Sequence, residues 1–470
     1  MQFDSYTYAL FLPIVFFAYW AARKRLNAQN AVLLVASYVF YGWWDWRMLG
    51  LVLLTSVSSF ASGLMIKPGA KDKQSKAAAW ANIALNLGIL AAFKYFNFFK
   101  DTFVHLLQCF GITPDWPTAN IILPVGISFY TFQAISYTID VYRGDVKPTR
   151  NMVAFLVFIS FFPQLVAGPI ERAKHLLPQF MRKKEFNYAT AVTGMRQILW
   201  GLAKKVVIAN VLARYVDYVF YHPAVMSAPS LLLGIALFTV QIYADFSGYS
   251  DIAIGSARLL NIRLSVNFSY PLFSRSMREL WRRWHITLMR WFTDYVYIPL
   301  GGSRRGRLRT VANLMAVFTL SGLWHGADWT FIIWGMANGA LVVLCRLWPY
   351  GKGCDYSRPP QMRDMPRIAF TFTLFALTFF LFRATGMAHL GEIAGTLVHG
   401  PWAAMPMGVS ALCYVAPFVA IEWIGRKSEF PLMRLDGLPM AVRWAAYWSL
   451  LALIAWKSIG QNTQFIYFQF

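Results

Sequence analysis

Thr310–Arg346 reads TVANLMAVFTLSGLWHGADWTFIIWGMANGALVVLCR, and from Thr310 to Cys345 it contains neither Lys nor Arg. As one straight helix that stretch would extend about 55 Å at about 1.5 Å per residue. The hydrocarbon core of a bilayer is only about 30 Å thick. Arg304, Arg305, Arg307 and Arg309 stand before it and Arg346 after it. Two spans folded as a hairpin satisfy both observations, with the break at Gly322-Leu323-Trp324-His325-Gly326-Ala327-Asp328.

The rest of the chain has the same character. Of 470 residues 57% are hydrophobic and 14% charged, with a mean hydropathy of +0.44; water-soluble domains carry about 25% charged residues. Further apolar runs lie at about 6–22, 30–44, 48–66, 77–99, 120–139, 152–168, 190–221, 230–260, 368–386, 406–424 and 441–456. They lack the two-residue alternation of barrel strands, and lipid leaves helices as the other way to satisfy a spanning backbone. The expectation is an all-α polytopic membrane bundle of about 10–13 spans. It forms one domain: N-terminal helices at 1–120, a core at 121–348 and C-terminal helices at 349–470. The polar break from Pro349 to Arg367 joins the last two parts.

Lys and Arg number 44 against 21 Asp and Glu, a net charge of +23. On this background the excess reads as topology rather than nucleic-acid binding, because basic loops stay cytoplasmic. Arg23, Lys24 and Arg25 close the first run, and Lys67, Lys71, Lys73 and Lys76 follow the third. The intervening turn offers only Arg47, which puts the amino end outside. No basic residue precedes the first run, so it reads as a retained helix rather than a secretory signal. Segment 152–168 lies between two basic loops and so dips and returns, or lines a groove covered by protein. Segment 270–300 is aromatic and amphipathic, the pattern of an interfacial or re-entrant helix. Cys109, Cys345, Cys354 and Cys413 show no metal-ligand spacing, and no metal is expected.

Candidate chemistry sits where polar groups interrupt apolar sequence. His325 falls about 22 Å along the helix from Thr310, a depth at which an ionisable group faces a bundle interior or a wet cavity. The bland alternative is a histidine bonded to a neighbouring helix. In Trp281-Arg282-Arg283-Trp284-His285-Ile286, Trp281 and His285 would share a helical face, although an aromatic belt alone explains tryptophans. Gln241-Ile242-Tyr243-Ala244-Asp245-Phe246-Ser247-Gly248-Tyr249-Ser250-Asp251 places two carboxylates in an apolar run. They either line a funnel or pair with Arg275, Arg278, Arg282 or Arg283. Glu171 and Arg172 either pair locally or line an entrance. A buried imidazole is held neutral and can take the proton of a hydroxyl nucleophile. Arg or tryptophan N–H groups, Trp324 among them, could stabilise an oxyanion. The chain contains no GxSxG, P-loop, HExxH or dinucleotide fingerprint.

These motifs resemble the membrane-bound O-acyltransferase family, in particular its bacterial polysaccharide-modifying branch. The resemblance is carried by Pro124-Val125-Gly126-Ile127-Ser128-Phe129-Tyr130, Ala167-Gly168-Pro169-Ile170-Glu171-Arg172, Tyr243 to Asp251, Trp281 to Leu288, and Leu323-Trp324-His325-Gly326. It implies re-entrant elements around a central funnel, His325 as catalytic histidine and His285 as the second active-site position. It further implies an inner-membrane enzyme that passes an acetyl group across the bilayer for O-acetylation of an exported polysaccharide, alginate or cellulose. Periplasmic acetyltransferase subunits would finish the reaction, acetyl-coenzyme A would be the donor, and no bound cofactor is implied. Two roles for His325 fit, general base or transient acyl carrier. A polysaccharide or lipid-linked transporter and a non-catalytic secretion scaffold are the competing readings.

Overall fold

The computed structural model describes residues 1–70, 72–114, 116, 121–347, 355–403, 406–459 and 465–466. Lys71, Pro349 and Cys354, named above, lie outside them. Among the described residues the chain is helical and contains no strand. Five helical stretches are long and apolar enough to cross a bilayer: Leu26–Met65, Lys73–Gln108, Ala228–Leu259, Trp329–Arg346 and Met362–Arg383. The chain divides into two compact units, Met1–Tyr188 with Leu259–Leu264, and Ala189–Arg258 with Ser265–Phe470.

The first unit contains α1 (Tyr6–Ala21), α2 (Leu26–Asp45), α3 (Leu49–Met65), α4 (Lys73–Leu90), α5 (Phe96–Gln108), α6 (Ile127–Arg143), α7 (Met152–Ser160), α8 (Phe162–Leu165) and α9 (Ala173–Leu176). Helices α3, α4 and α6 share a buried polar seam. Asn82 Nδ2 donates to Thr138 Oγ1 at 2.7 Å and to Ser59 Oγ at 3.2 Å. Ser62 Oγ donates to the Ala78 carbonyl at 3.1 Å. Apolar surface gains little from helix association in lipid, so such bonds and close packing hold the helices.

The expected dip at 152–168 takes the form of two short helices. The 9 residues of α7 span about 14 Å at about 1.5 Å per residue, too little to cross. Its break exposes backbone groups that water cannot reach, and side chains satisfy them. Ser37 Oγ accepts from Phe162 N at 3.1 Å, and Gln133 Nε2 donates to the Phe158 carbonyl at 2.7 Å. Irregular backbone at this depth survives on such partners.

Beyond α8, buried Glu171 accepts a hydrogen bond from His175 Nδ1 at 2.7 Å. That bond raises the His175 pKa above its ordinary value. The folded state therefore binds the imidazole proton more tightly than the unfolded state does. The contribution to stability is present below about pH 6.5 and is lost as pH rises through the raised folded value. Heating the detergent-purified protein should give a midpoint that falls on this alkaline limb, and Glu171→Gln should remove that component.

The second unit contains α10 (Tyr188–Leu202, its first residue the last of the first unit), α11 (Asn210–Tyr221), α12 (Ala228–Leu259), α13 (Met277–Arg283), α14 (Ile286–Phe292), α15 (Arg307–His325), α16 (Trp329–Leu347), α17 (Met365–Arg383), α18 (Met387–His399), α19 (Leu412–Gly425) and α20 (Met440–Ser458). The predicted hairpin is present as α15 and α16, with only Gly326, Ala327 and Asp328 between them. Asp328 Oδ1 accepts from Thr330 N at 2.9 Å and starts α16. The two helices touch backbone to backbone. A Cβ on Gly322 would overlap the Phe331 carbonyl, and one on Gly335 would overlap the Phe318 carbonyl. Backbone cannot swing aside as a side chain can. Gly322→Leu should cost about 3 kcal/mol, read as loss of folded protein in membranes and a lower unfolding temperature in detergent.

A second close contact joins α10 to α12. A Cβ on Gly201 would sit 2.6 Å from the Gly248 carbonyl, and one on Gly255 would sit 2.6 Å from that of Gly194. Beyond Leu202 the chain makes a π-helical segment, Ala203–Ala209, before α11. The wider turn directs the consecutive residues Lys204 and Lys205 inward, 4% and 5% exposed.

Candidate active site

His285 does not continue the preceding helix. Helix α13 ends at Arg283, and His285 has φ +44° and ψ 51°, a left-handed conformation that is costly for a residue with a Cβ. The expectation that Trp281 and His285 share one helical face is therefore corrected. The kink turns the imidazole away from the α13 face, and Asn267 holds it there. The Asn267 carbonyl accepts from Ile286 N at 2.9 Å. Asn267 Oδ1 accepts from Thr287 Oγ1 at 2.9 Å, from Thr287 N at 3.3 Å, and contacts His285 Nδ1 at 3.1 Å. A backbone N–H can only donate, which fixes this atom as the amide oxygen. It follows that His285 Nδ1 is the donor, leaving Nε2 as the acceptor atom of the neutral ring.

His325, the last residue of α15, lies 6.3 Å from His285 between ring centres. Both are buried, 4% and 1% exposed respectively. Around His325 stand Trp324 at 5.0 Å, Trp334 at 5.2 Å with its ring perpendicular, and Phe382 at 5.6 Å. Phe246 at 4.7 Å and Trp324 at 5.8 Å flank His285. Trp281 packs against Trp334 at 6.0 Å, and the indole N–H groups of both lack a hydrogen-bond partner among the described residues. A pair of imidazoles is thus enclosed by aromatic rings with indole donors at hand.

The carboxylates of α12 do not pair with the arginines considered for them. Asp245 Oδ1 meets Lys205 Nζ at 2.7 Å, and Asp251 Oδ2 meets Lys204 Nζ at 2.5 Å. Lys204 also donates to Ser247 Oγ at 2.9 Å. The glycine contact and the π-helical turn bring both lysines to α12. Arg275 instead binds Glu279, four residues on, at 2.7 Å, and that carboxylate also pairs with Arg283 at 2.8 Å. Exposed Arg282 lies 5.8 Å from the Tyr356 ring, away from the histidines. Gln241 is buried, and its Oε1 lacks a partner among the described residues. Glu171 and Arg172 belong to the first unit, where Arg172 precedes α9.

Sequence reasoning passed over several participants. Lys204 and Lys205 sit inside the run 190–221, and Glu422 inside 406–424; charges in an apolar run were the available signal. Tyr243 donates to Glu422 at 2.6 Å. Near the carboxyl end, Phe465 stacks on Tyr249 at 4.6 Å, and Ile466 N donates to Asp245 Oδ2 at 2.8 Å. No pattern in the sequence pointed to that return. Among the described residues no three His, Cys, Asp or Glu side chains gather as a metal site.

Two buried imidazoles thus stand together in the interior of a helical chain with membrane-spanning helices. Comparison with known proteins gives the site a class of chemistry. The profile of the MBOAT, or membrane-bound O-acyltransferase, family matches residues 149–382. A probable alginate O-acetylase of Pseudomonas putida is 38% identical over 96% of this chain and 86% of its own length. A peptidoglycan O-acetyltransferase of Helicobacter pylori is 32% identical over 80% and 76% respectively. A teichoic acid D-alanyltransferase of Bacillus subtilis is 27% identical over 59% and 72%. The chain belongs to the membrane-bound O-acyltransferase family and is a multi-pass inner-membrane O-acyltransferase.

Proposed function

We propose that this enzyme takes an acetyl group from acetyl-coenzyme A at the cytoplasmic face and passes it across the inner membrane for O-acetylation of an exported polysaccharide. Alginate is the polymer favoured, since relatives covering most of the chain carry that name. Periplasmic acetyltransferase subunits finish the modification. The observation that carries the reading is the buried pair His325 and His285, 6.3 Å apart inside an aromatic cage.

His325 takes the proton of the acceptor hydroxyl as its oxygen attacks the thioester carbonyl. The tetrahedral intermediate places negative charge on that carbonyl oxygen, and the Trp334 indole N–H beside His325 is available to stabilise it. Collapse breaks the C–S bond, and the imidazolium returns its proton to the departing thiolate. His285, fixed with Nε2 as acceptor, orients the acceptor by taking a hydrogen bond from a second, neighbouring hydroxyl. Aromatic walls keep bulk water from hydrolysing the thioester.

Sealed vesicles of opposite orientation test donor and direction together. Inside-out vesicles given radiolabelled acetyl-coenzyme A should label acceptor in the lumen, and right-side-out vesicles given the same donor should label none. Equal labelling in both would remove the directional claim. A deletion strain should export polymer lacking acetyl groups; loss of the polymer itself would favour transport.

A further inference from the structure

Asn267, the partner of His285, also lines a cavity of about 20 Å³, with Ser250, Asp251, Lys204, Ser247 and Glu422 among its other walls. Two of the side chains on this wall hold polar atoms that no described residue satisfies. Asn267 Nδ2 and Ser250 Oγ are buried and have no hydrogen-bond partner among the described residues; the residues are 0% and 2% exposed. A buried amide N–H without an acceptor is destabilising, so a partner is expected. One water needs at least about 10–15 Å³ and two to four polar partners. The space and the partners agree.

We propose that this cavity holds a single structural water that bonds Asn267 Nδ2 and Ser250 Oγ, and that Asn267 is thereby a positioning residue for His285. The inference rests on the acyl-transfer reading for its consequence but not for its geometry. With Nδ2 bound to the water, Asn267 cannot rotate its amide, and Oδ1 stays on His285 Nδ1 and on Thr287. Asp251 on the cavity wall is held in turn by Lys204 at 2.5 Å and by Gln197 Nε2 at 2.8 Å. A chain therefore runs from Ser250 through the water and Asn267 to the imidazole. Such outer partners fix tautomer and ring orientation, and removing them costs about 10–100-fold in activity where they support metal ligands. His285 faces Phe246 of α12, Phe268 beside Asn267, and, on α15, Trp324 and the titratable ring of His325.

The test uses the full-length protein labelled with ¹⁵N-histidine, the His285 signals being assigned by their loss in His285→Gln. Wild type should show His285 as the Nδ1–H tautomer at neutral pH. Asn267→Leu should abolish that preference and lower acetyl transfer about 10–100-fold with KM for acetyl-coenzyme A unchanged. Asn267→Asp restores an acceptor with negative charge, so the acidic limb of its pH–rate profile should move to higher pH. Ser250→Ala removes one of the water's two partners and should lower acetyl transfer part of the way toward Asn267→Leu, whereas Ser250→Val also fills the cavity and should fall the rest of the way. An Nε2–H tautomer in wild type, or an unmoved profile in Asn267→Asp, overturns the positioning role. Ser250→Val as active as Ser250→Ala overturns the water. Should Asn267→Leu not accumulate, Asn267→Asp and the wild-type spectrum decide. Full activity in His285→Gln would instead remove the acyl-transfer reading and leave the spectroscopic result standing.

Discussion

Replacing His325 with alanine is expected to lower O-acetylation of the polymer about 10²–10⁴-fold while the protein accumulates in the membrane at its normal level. The imidazole ends α15 and packs edge-on against Trp334 and Phe382. Its loss leaves space in a wall of rings. The stability cost is thus that of one truncated side chain, and the chemical cost is that of the base. His325→Gln separates the two, because it refills much of the volume with a group that cannot take a proton at neutral pH. Both variants should be inactive, and the glutamine variant should unfold nearer the wild-type temperature.

The largest effect on stability is expected at Asp245. Its partner Lys205 is 5% exposed, and Asp245 itself is 3% exposed. Removing one member of a buried pair leaves an uncompensated charge, a cost of about 3–5 kcal/mol. Asp245→Ala should also release Ile466 N, which donates to Asp245 Oδ2, and so loosen the packing of Phe465 on Tyr249. The expected result is protein that fails to accumulate or melts far below wild type. The double variant Asp245→Leu with Lys205→Met, carrying no buried charge, should recover much of the loss. Equal damage in single and double variants would mean that the pair matters for something other than charge balance.

The hairpin at 310–346 was legible because its length, its flanking arginines and its Gly-rich centre all require the same break. The dip at 152–168 could be read from charge alone, since two basic flanks cannot lie on opposite faces. The kink at His285 could not be read. Trp281 to Leu288 scans as one amphipathic helix, and the bonds from Asn267, 18 residues before His285, hold the break there. Which cations meet the carboxylates of α12 could not be read for a similar reason. Arg275 is nearer in sequence and more numerous in company, but a glycine contact and a π-helical turn deliver Lys204 and Lys205 to α12, and neither has a periodicity to detect. His325 and His285 were each visible as ionisable groups in apolar surroundings; their proximity is a property of the fold.

The central claim is that the paired imidazoles carry the acyl transfer. Consumption of acetyl-coenzyme A by the purified protein in reconstituted vesicles, compared among wild type, His325→Gln and His285→Gln at equal folded amounts, tests it most directly. The account predicts turnover in wild type and at most about one hundredth of it in either variant. Thioester cleavage at the wild-type rate in His325→Gln would contradict it.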